Sequence, residues 1–166
     1  MKRVLSTTFL FGLLLLGSAA SAQNIALGER TPRIKAKNIR WLDGHKPTKH
    51  AYTYIEFIHS KSEPCRLSAE RIASIAKSSD NMNVILVTKE EGAGLSEWAR
   101  KFSHGTTGVI VLGSDYFDRY NVKYAPFGAM IHKRRAIWFG NPRLLNKELI
   151  EKLTNNKRKR VCRTLK

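Results

Sequence analysis

The sequence predicts an α/β fold in which strands and helices alternate before the chain closes with a β-hairpin and a final helix. Three observations carry this. Ala51 to His59, Ala-Tyr-Thr-Tyr-Ile-Glu-Phe-Ile-His, is dense in aromatic and β-branched residues, as a buried central strand is, with one charge, Glu56, in its middle. A helix pattern follows, and then Asn83 to Thr88, a short apolar run that fits a strand buried on both faces, so strand, helix and strand form a parallel crossover. Near the end, Pro126–His132 and Ala136–Gly140 are strand-like runs joined by His132-Lys133-Arg134-Arg135, which predicts an antiparallel hairpin.

The remaining elements are placed in order. Between Gln23 and Lys49 the chain is basic and broken by Thr31-Pro32, Asp43-Gly44 and Lys46-Pro47, leaving room for one short strand near Ile39 to Leu42. Pro64 opens the first helix, whose Leu67, Ala69, Ile72, Ala73, Ile75 and Ala76 suit an amphipathic face ending near Ser78. Leu95 to Phe102 predicts a helix, Gly108 to Gly113 a strand, and Ser114 to Tyr120 a helix capped by Ser114 with Phe117 and Tyr120 on one face. Asn146 is expected to cap the closing helix, with Leu149, Ile150 and Leu153 inward and Asn155-Asn156 ending it.

The ends of the chain bear on location and partners. Met1-Lys2-Arg3, the apolar run Phe9 to Leu16 and Ala20-Ser21-Ala22 before Gln23 form the pattern of an export signal cleaved at Ala22-Gln23. A periplasmic or secreted protein is expected. The chain then divides into residues 1–22, an N-terminal segment 23–49, a domain 50–154 and a basic tail 155–166. Loss of Lys2 and Arg3 with the leader lowers the formal net charge from +17 to +15, an excess that attracts anionic surfaces. The tail, with Lys157, Arg158, Lys159 and Arg160, is the expected contact; no aromatic-and-basic stripe of a nucleic-acid fold accompanies it, so nucleic acid is not an expected partner.

The chemistry-bearing stretch is Phe57 to Ile72, Phe-Ile-His-Ser-Lys-Ser-Glu-Pro-Cys-Arg-Leu-Ser-Ala-Glu-Arg-Ile, at the junction of strand and helix. Together with Tyr120-Asn121-Val122 and Pro126 ahead of the hairpin, it resembles the TlpA/ResA branch of the thioredoxin-like superfamily. That resemblance spans roughly residues 26–153. It implies a thioredoxin-like fold with a central mixed sheet, places Ser62-Glu63-Pro64-Cys65 on the branch's C-x-P-C motif, and places Pro126 on its cis-proline. The implied substrate groove holds Pro64, Ala125 and Pro126, where a protein thiol or another protein partner would dock. No cofactor or metal is expected, since no His, Cys and Asp spacing resembles a ligand set.

Ser62 departs from the pattern where it matters. The motif's first cysteine attacks, because helix N-terminal N–H groups stabilise its thiolate; a serine hydroxyl is not ionised near neutral pH and forms no disulfide. Cys65 matches the resolving cysteine, and Glu56, nine residues earlier, matches a buried acid that moves protons for it. Cys65 then has three readings: a half-buried remnant in a binding domain, a partner for Cys162 in a bridge or redox couple, or the thiol of a peroxidase-like site with Ser62. Against the last, peroxiredoxins carry a proline where this chain has Ile58. Glu56 is either buried and able to act as a base, or solvent-facing, or satisfied by a neighbouring Lys or Tyr.

Overall fold

The computed structural model describes residues 25–42, 51–77, 81–91, 93–101 and 107–154. Residues 1–22, read above as an export signal, and His45, His50, His104, Asn155-Asn156 and the basic tail with Cys162 lie outside them. The strands are β1 (Arg40–Trp41), β2 (Tyr52–Phe57), β3 (Met82–Val87), β4 (Thr107–Ile110), β5 (Phe127–His132) and β6 (Arg135–Gly140). The helices are α1 (Glu63–Lys77), α2 (Ala93–Arg100), α3 (Ser114–Arg119) and α4, residues 147–154.

One six-stranded mixed sheet runs in the order β1-β4-β3-β2-β5-β6. β2, β3 and β4 are parallel, which the α1 and α2 crossovers require, while β5 and β6 return antiparallel. Strand alternation then sorts the side chains. Tyr52, Tyr54 and Ile58 join Cys65, Ala69 and Ile72 of α1, Leu95 of α2 and Ile150 of α4 in a front core. Ile55 and Phe57 join Ile85, Val87 and the α3 residues Tyr116 and Phe117 in a back core. The expected inward face of α4 is found: Ile150 is buried and Leu149 and Leu153 pack on the front core. Asn146 caps it through a 2.8 Å bond from the Leu149 N–H to Oδ1.

Two local expectations are corrected. Ser114 is the first residue of α3 rather than its cap; Gly113 holds that position, and its carbonyl accepts from the Tyr116 and Phe117 N–H groups. A side chain there has no room, since a Cβ on Gly113 would lie 2.6 Å from a Val87 methyl. The hairpin turn is Lys133-Arg134 alone, with His132 and Arg135 paired as the last and first residues of their strands. Both turn residues are left-handed, at φ 47° and 63°. A two-residue turn of this kind matches strand twist and favours Asn-Gly, because an L side chain in that region costs ~1 kcal/mol or more. Lys133→Asn with Arg134→Gly is therefore expected to raise the unfolding free energy by roughly 1–2 kcal/mol, measured by urea titration.

The N-terminal segment crosses the back of this sheet from one side to the other. Residues 28–31 bond to β6, through Gly28 N–H to the Ala136 carbonyl at 2.7 Å and Ala136 N–H to the Glu29 carbonyl at 3.1 Å. Twelve positions on, Arg40 and Trp41 pair with Val109 and Gly108 of β4. Gly108 admits this approach, since a Cβ there would meet an Ile39 methyl at 2.4 Å.

Candidate functional site

β2 ends at Phe57 and α1 starts at Glu63, so residues 58–62 form the loop at one end of the sheet. β5 begins opposite, with Phe127 in register with Phe57. The Ala125–Pro126 turn therefore reaches the same end of the sheet as the 58–62 loop, and its peptide bond is cis, as the resemblance implied. Ala125 and Pro64 are exposed and Pro126 is half-buried.

Ser62 stands immediately before α1. Its carbonyl accepts the first helical bond from the Arg66 N–H at 3.0 Å, while its own N–H closes a turn onto the His59 carbonyl at 3.0 Å. Ser62 is half-buried at the mouth of the site. Cys65 sits one turn further along, 0% exposed and part of the front core. Its Sγ accepts from the His59 backbone N–H at 3.4 Å. Cys162 lies outside the described residues, so the bridge reading gains no geometry.

Glu56 is 0% exposed and faces the front core from the middle of β2, which removes the solvent-facing reading. The Tyr54 hydroxyl donates to Oε2 at 3.2 Å, whereas Oε1 is buried without a hydrogen-bond partner. Burial pushes the Glu56 carboxyl up to about 7; the Ser68 and Tyr54 hydroxyls and the Arg71 charge pull the other way without prevailing. Ser68 Oγ lies close enough to favour the carboxylate but closes no bond of good geometry. Burial, then the Glu56 charge, also raises the Tyr54 phenol, so Tyr54 remains the donor of the pair. The Tyr54 hydroxyl occupies the space above Gly128, the residue paired with Glu56 across the sheet; a Cβ there would lie 2.4 Å from it.

A second group of polar residues fastens the loop over the thiol. Glu90, after β3, accepts from the Ser60 N–H at 3.1 Å and from the Ser60 hydroxyl, and its other oxygen lies 2.8 Å from His59 Nδ1. His59 thus serves the loop and carries the N–H that meets Cys65. Bonds to a charged acceptor contribute roughly 1.5–3 kcal/mol each. Glu90→Ala should loosen the loop and accelerate iodoacetamide labelling of Cys65 by about tenfold or more.

The sequence reading singled out Glu56, Ser62, Cys65 and Pro126 and missed Tyr54, Ser68, Arg71 and Glu90. Strand alternation could have found Tyr54, two residues from Glu56, and helical spacing Ser68, three from Cys65. Glu90 carried no local signal. Among the described residues no three His, Cys, Asp or Glu side chains are placed to hold a metal, and no helix is long and apolar enough to cross a membrane.

No family model matches the chain, and no curated protein does. Solved structures do. A peroxiredoxin-like protein from Aquifex aeolicus superposes with TM-score 0.60 at 12% identity, covering 80% of this chain and 88% of that one. The thioredoxin domain of a thiol-disulfide oxidoreductase from Bacteroides vulgatus gives 0.59 at 13% identity over 78% and 96%. A thioredoxin-like protein from Parabacteroides distasonis gives 0.57 at 17% identity over 79% and 96%. With its strand order, its crossover helices and its terminal hairpin and helix, the chain has the thioredoxin-like fold.

Proposed function

We propose that this is an exported protein of thioredoxin-like fold whose Ser62-Glu63-Pro64-Cys65 site has lost dithiol exchange and serves to bind a protein partner at the end of the sheet bounded by Pro64, Ala125 and Pro126. One observation carries this reading: the mouth of the site presents a hydroxyl, Ser62, while the sulfur that remains, Cys65, is 0% exposed beneath a fastened loop. Attack on a disulfide requires an accessible thiolate. Export rests on the pattern of residues 1–22, and contact with anionic surfaces on the basic residues 157–166.

A second reading, single-cysteine redox chemistry, is favoured by Glu56. A buried acid that titrates near neutrality can take a proton at working pH, and Cys65 shares its core. In that reading the Cys65 thiolate attacks a disulfide of another protein, forming a mixed disulfide and releasing one thiol. A second thiol, from Cys162 or from another molecule, then attacks the mixed disulfide and releases the other. Insulin disulfide reduction by the protein and by Cys65→Ser separates the two. Equal rates, both at the background of the added reductant, support the binding module; turnover abolished by Cys65→Ser overturns it. Mass spectrometry of the alkylated oxidised protein reads the bridge directly, and two free thiols would exclude a Cys65 to Cys162 pair.

A further inference from the structure

The N-terminal segment does not fill the space over the terminal hairpin. Between this segment and strands β5 and β6, on the back of the sheet, lies a cavity of about 200 Å³. Its floor is Ala129 of β5 and Ala136 of β6, both buried, and Ile25, Phe127 and Phe139 wall it. Phe139 is 38% exposed, so the cavity reaches solvent beside its ring. The two alanines make the hollow. Strand interiors favour β-branched and aromatic residues over alanine, and the same face of β5 carries Phe127 and Ile131 on either side of Ala129.

Three features specify an occupant. No charged side chain lines the cavity among the described residues, although the chain has 30 basic residues. The lining hydroxyls are already engaged: Thr31 Oγ1 donates to the Arg134 carbonyl at 3.4 Å, and the Tyr120 hydroxyl donates to the Pro32 carbonyl at 3.0 Å. Asn121 is likewise not free. Water in such a space has few strong partners, and an apolar group displaces it readily. The walls are also aromatic and paired. The Phe127 and Phe139 rings are stacked 29° from parallel with centroids 6.4 Å apart, and Tyr124 meets Phe127 edge-on at 5.7 Å. Aromatic pairs favour offset-stacked and edge-on contacts at ~4.5–7 Å, so a further ring in the cavity extends the set. Volume sets the size. An apolar-walled cavity of ~150 Å³ accepts benzene, whereas drug-sized ligands occupy ~300–1,000 Å³.

We propose that this cavity binds a small uncharged aromatic molecule, one ring with at most a short apolar substituent. The ring lies over Ala129 and Ala136 and against Phe127 and Phe139. The site is separate from the thiol, since Cys65 belongs to the front core and Ile25 and Phe127 pack on the back one.

NMR of the alanine and isoleucine methyl groups, recorded on the purified protein during titration, tests it. Toluene should bind saturably, with shifts centred on Ala129, Ala136 and Ile25. Benzoate has the same ring and a charge, and should bind more weakly, because no cation lines the cavity to offset desolvation of its carboxylate. Ala129→Leu fills the floor and should abolish toluene binding while still unfolding cooperatively. Phe139→Leu keeps the wall apolar and removes one ring; it should weaken toluene about two- to tenfold and leave methylcyclohexane unchanged. Should Ala129→Leu not unfold cooperatively, the Phe139→Leu comparison decides alone. An absence of saturable toluene binding, or shifts centred elsewhere, would overturn the proposal. So would tighter binding of benzoate than of toluene, which would put the ligand on the basic surface. Equal loss of toluene and methylcyclohexane in Phe139→Leu would reduce the cavity to an apolar hollow with no preference for a ring. Toluene binding that appears only when residues 1–24 are removed would also overturn it, since the chain itself would then fill the cavity.

Discussion

Ser62→Cys is expected to turn the protein into a disulfide reductase, accelerating insulin reduction roughly tenfold or more over the unmodified chain. The backbone is already arranged for it. Position 62 precedes α1, with its carbonyl bonded to the Arg66 N–H, so a sulfur there would meet the free N–H groups and positive end of the helix, which lower a thiol's pKa. Residues three apart at a helix start have their Cβ atoms ~5–6 Å apart, so residue 62, which lies outside the helix, must draw in by ~1–2 Å to reach the ~3.5–4.5 Å of a disulfide. The new thiolate would attack the substrate disulfide and form a mixed disulfide. Cys65 would then release the product by closing the 62–65 bridge. The oxidised variant should weigh two hydrogens less than its reduced form, and a second substitution, Cys65→Ser, should return the rate to background. A double-cysteine variant that bridges but does not turn over would show that the loop held by Glu90, rather than the missing sulfur, limits the chemistry.

The second large effect is on stability against pH. Glu56 titrates at about 7 in the folded protein and at 4.5 when free in an unfolded chain. Between these values the unfolded state binds fewer protons, so unfolding becomes easier as pH rises. The contribution is fully present below pH 4.5, is lost as pH passes through about 7, and is flat above. A shift of this size corresponds to roughly 3 kcal/mol, since one pKa unit is about 1.4 kcal/mol. Urea denaturation of the protein and of Glu56→Gln from pH 4.5 to 8 should show the difference opening over this window, with the glutamine variant gaining at high pH. Parallel profiles would mean that Glu56 is not carrying a proton into the folded core.

Much of this was readable in the sequence because local chemistry dictated it. The aromatic and β-branched run around Tyr54 could only be a central strand, and one acid inside it stood out against its neighbours. Ser62 and Cys65 fell at a strand-to-helix junction where an N-terminal helix position has a defined electrostatic meaning. What escaped reading came from tertiary contact. Glu90 reaches Ser60 across 30 positions, and no period links them. The one-residue error at the hairpin arose because Lys133 and Arg134 lack the glycine or asparagine that ordinarily marks such a turn. Ser114 lost the cap to Gly113 because packing against Val87 fixed the approach to α3, and a side-chain preference could not compete.

The N-terminal segment, β1 included, gives the sheet a property that strands β2 to β6 lack. An open sheet offers two rows of unpaired backbone groups, each a template for another chain. Here one short stretch reaches both: residues 28–31 pair with Arg134 to Ala136 at the start of β6, and Arg40 and Trp41 pair with Val109 and Gly108 of β4. A single cut between them, at the exposed Lys35 to Lys37, would leave the domain's own strands in place while untying the two pairings from each other. The segment outside the motif thus lies along both edges of the sheet, and clipping it would expose backbone groups there to pairing by another chain.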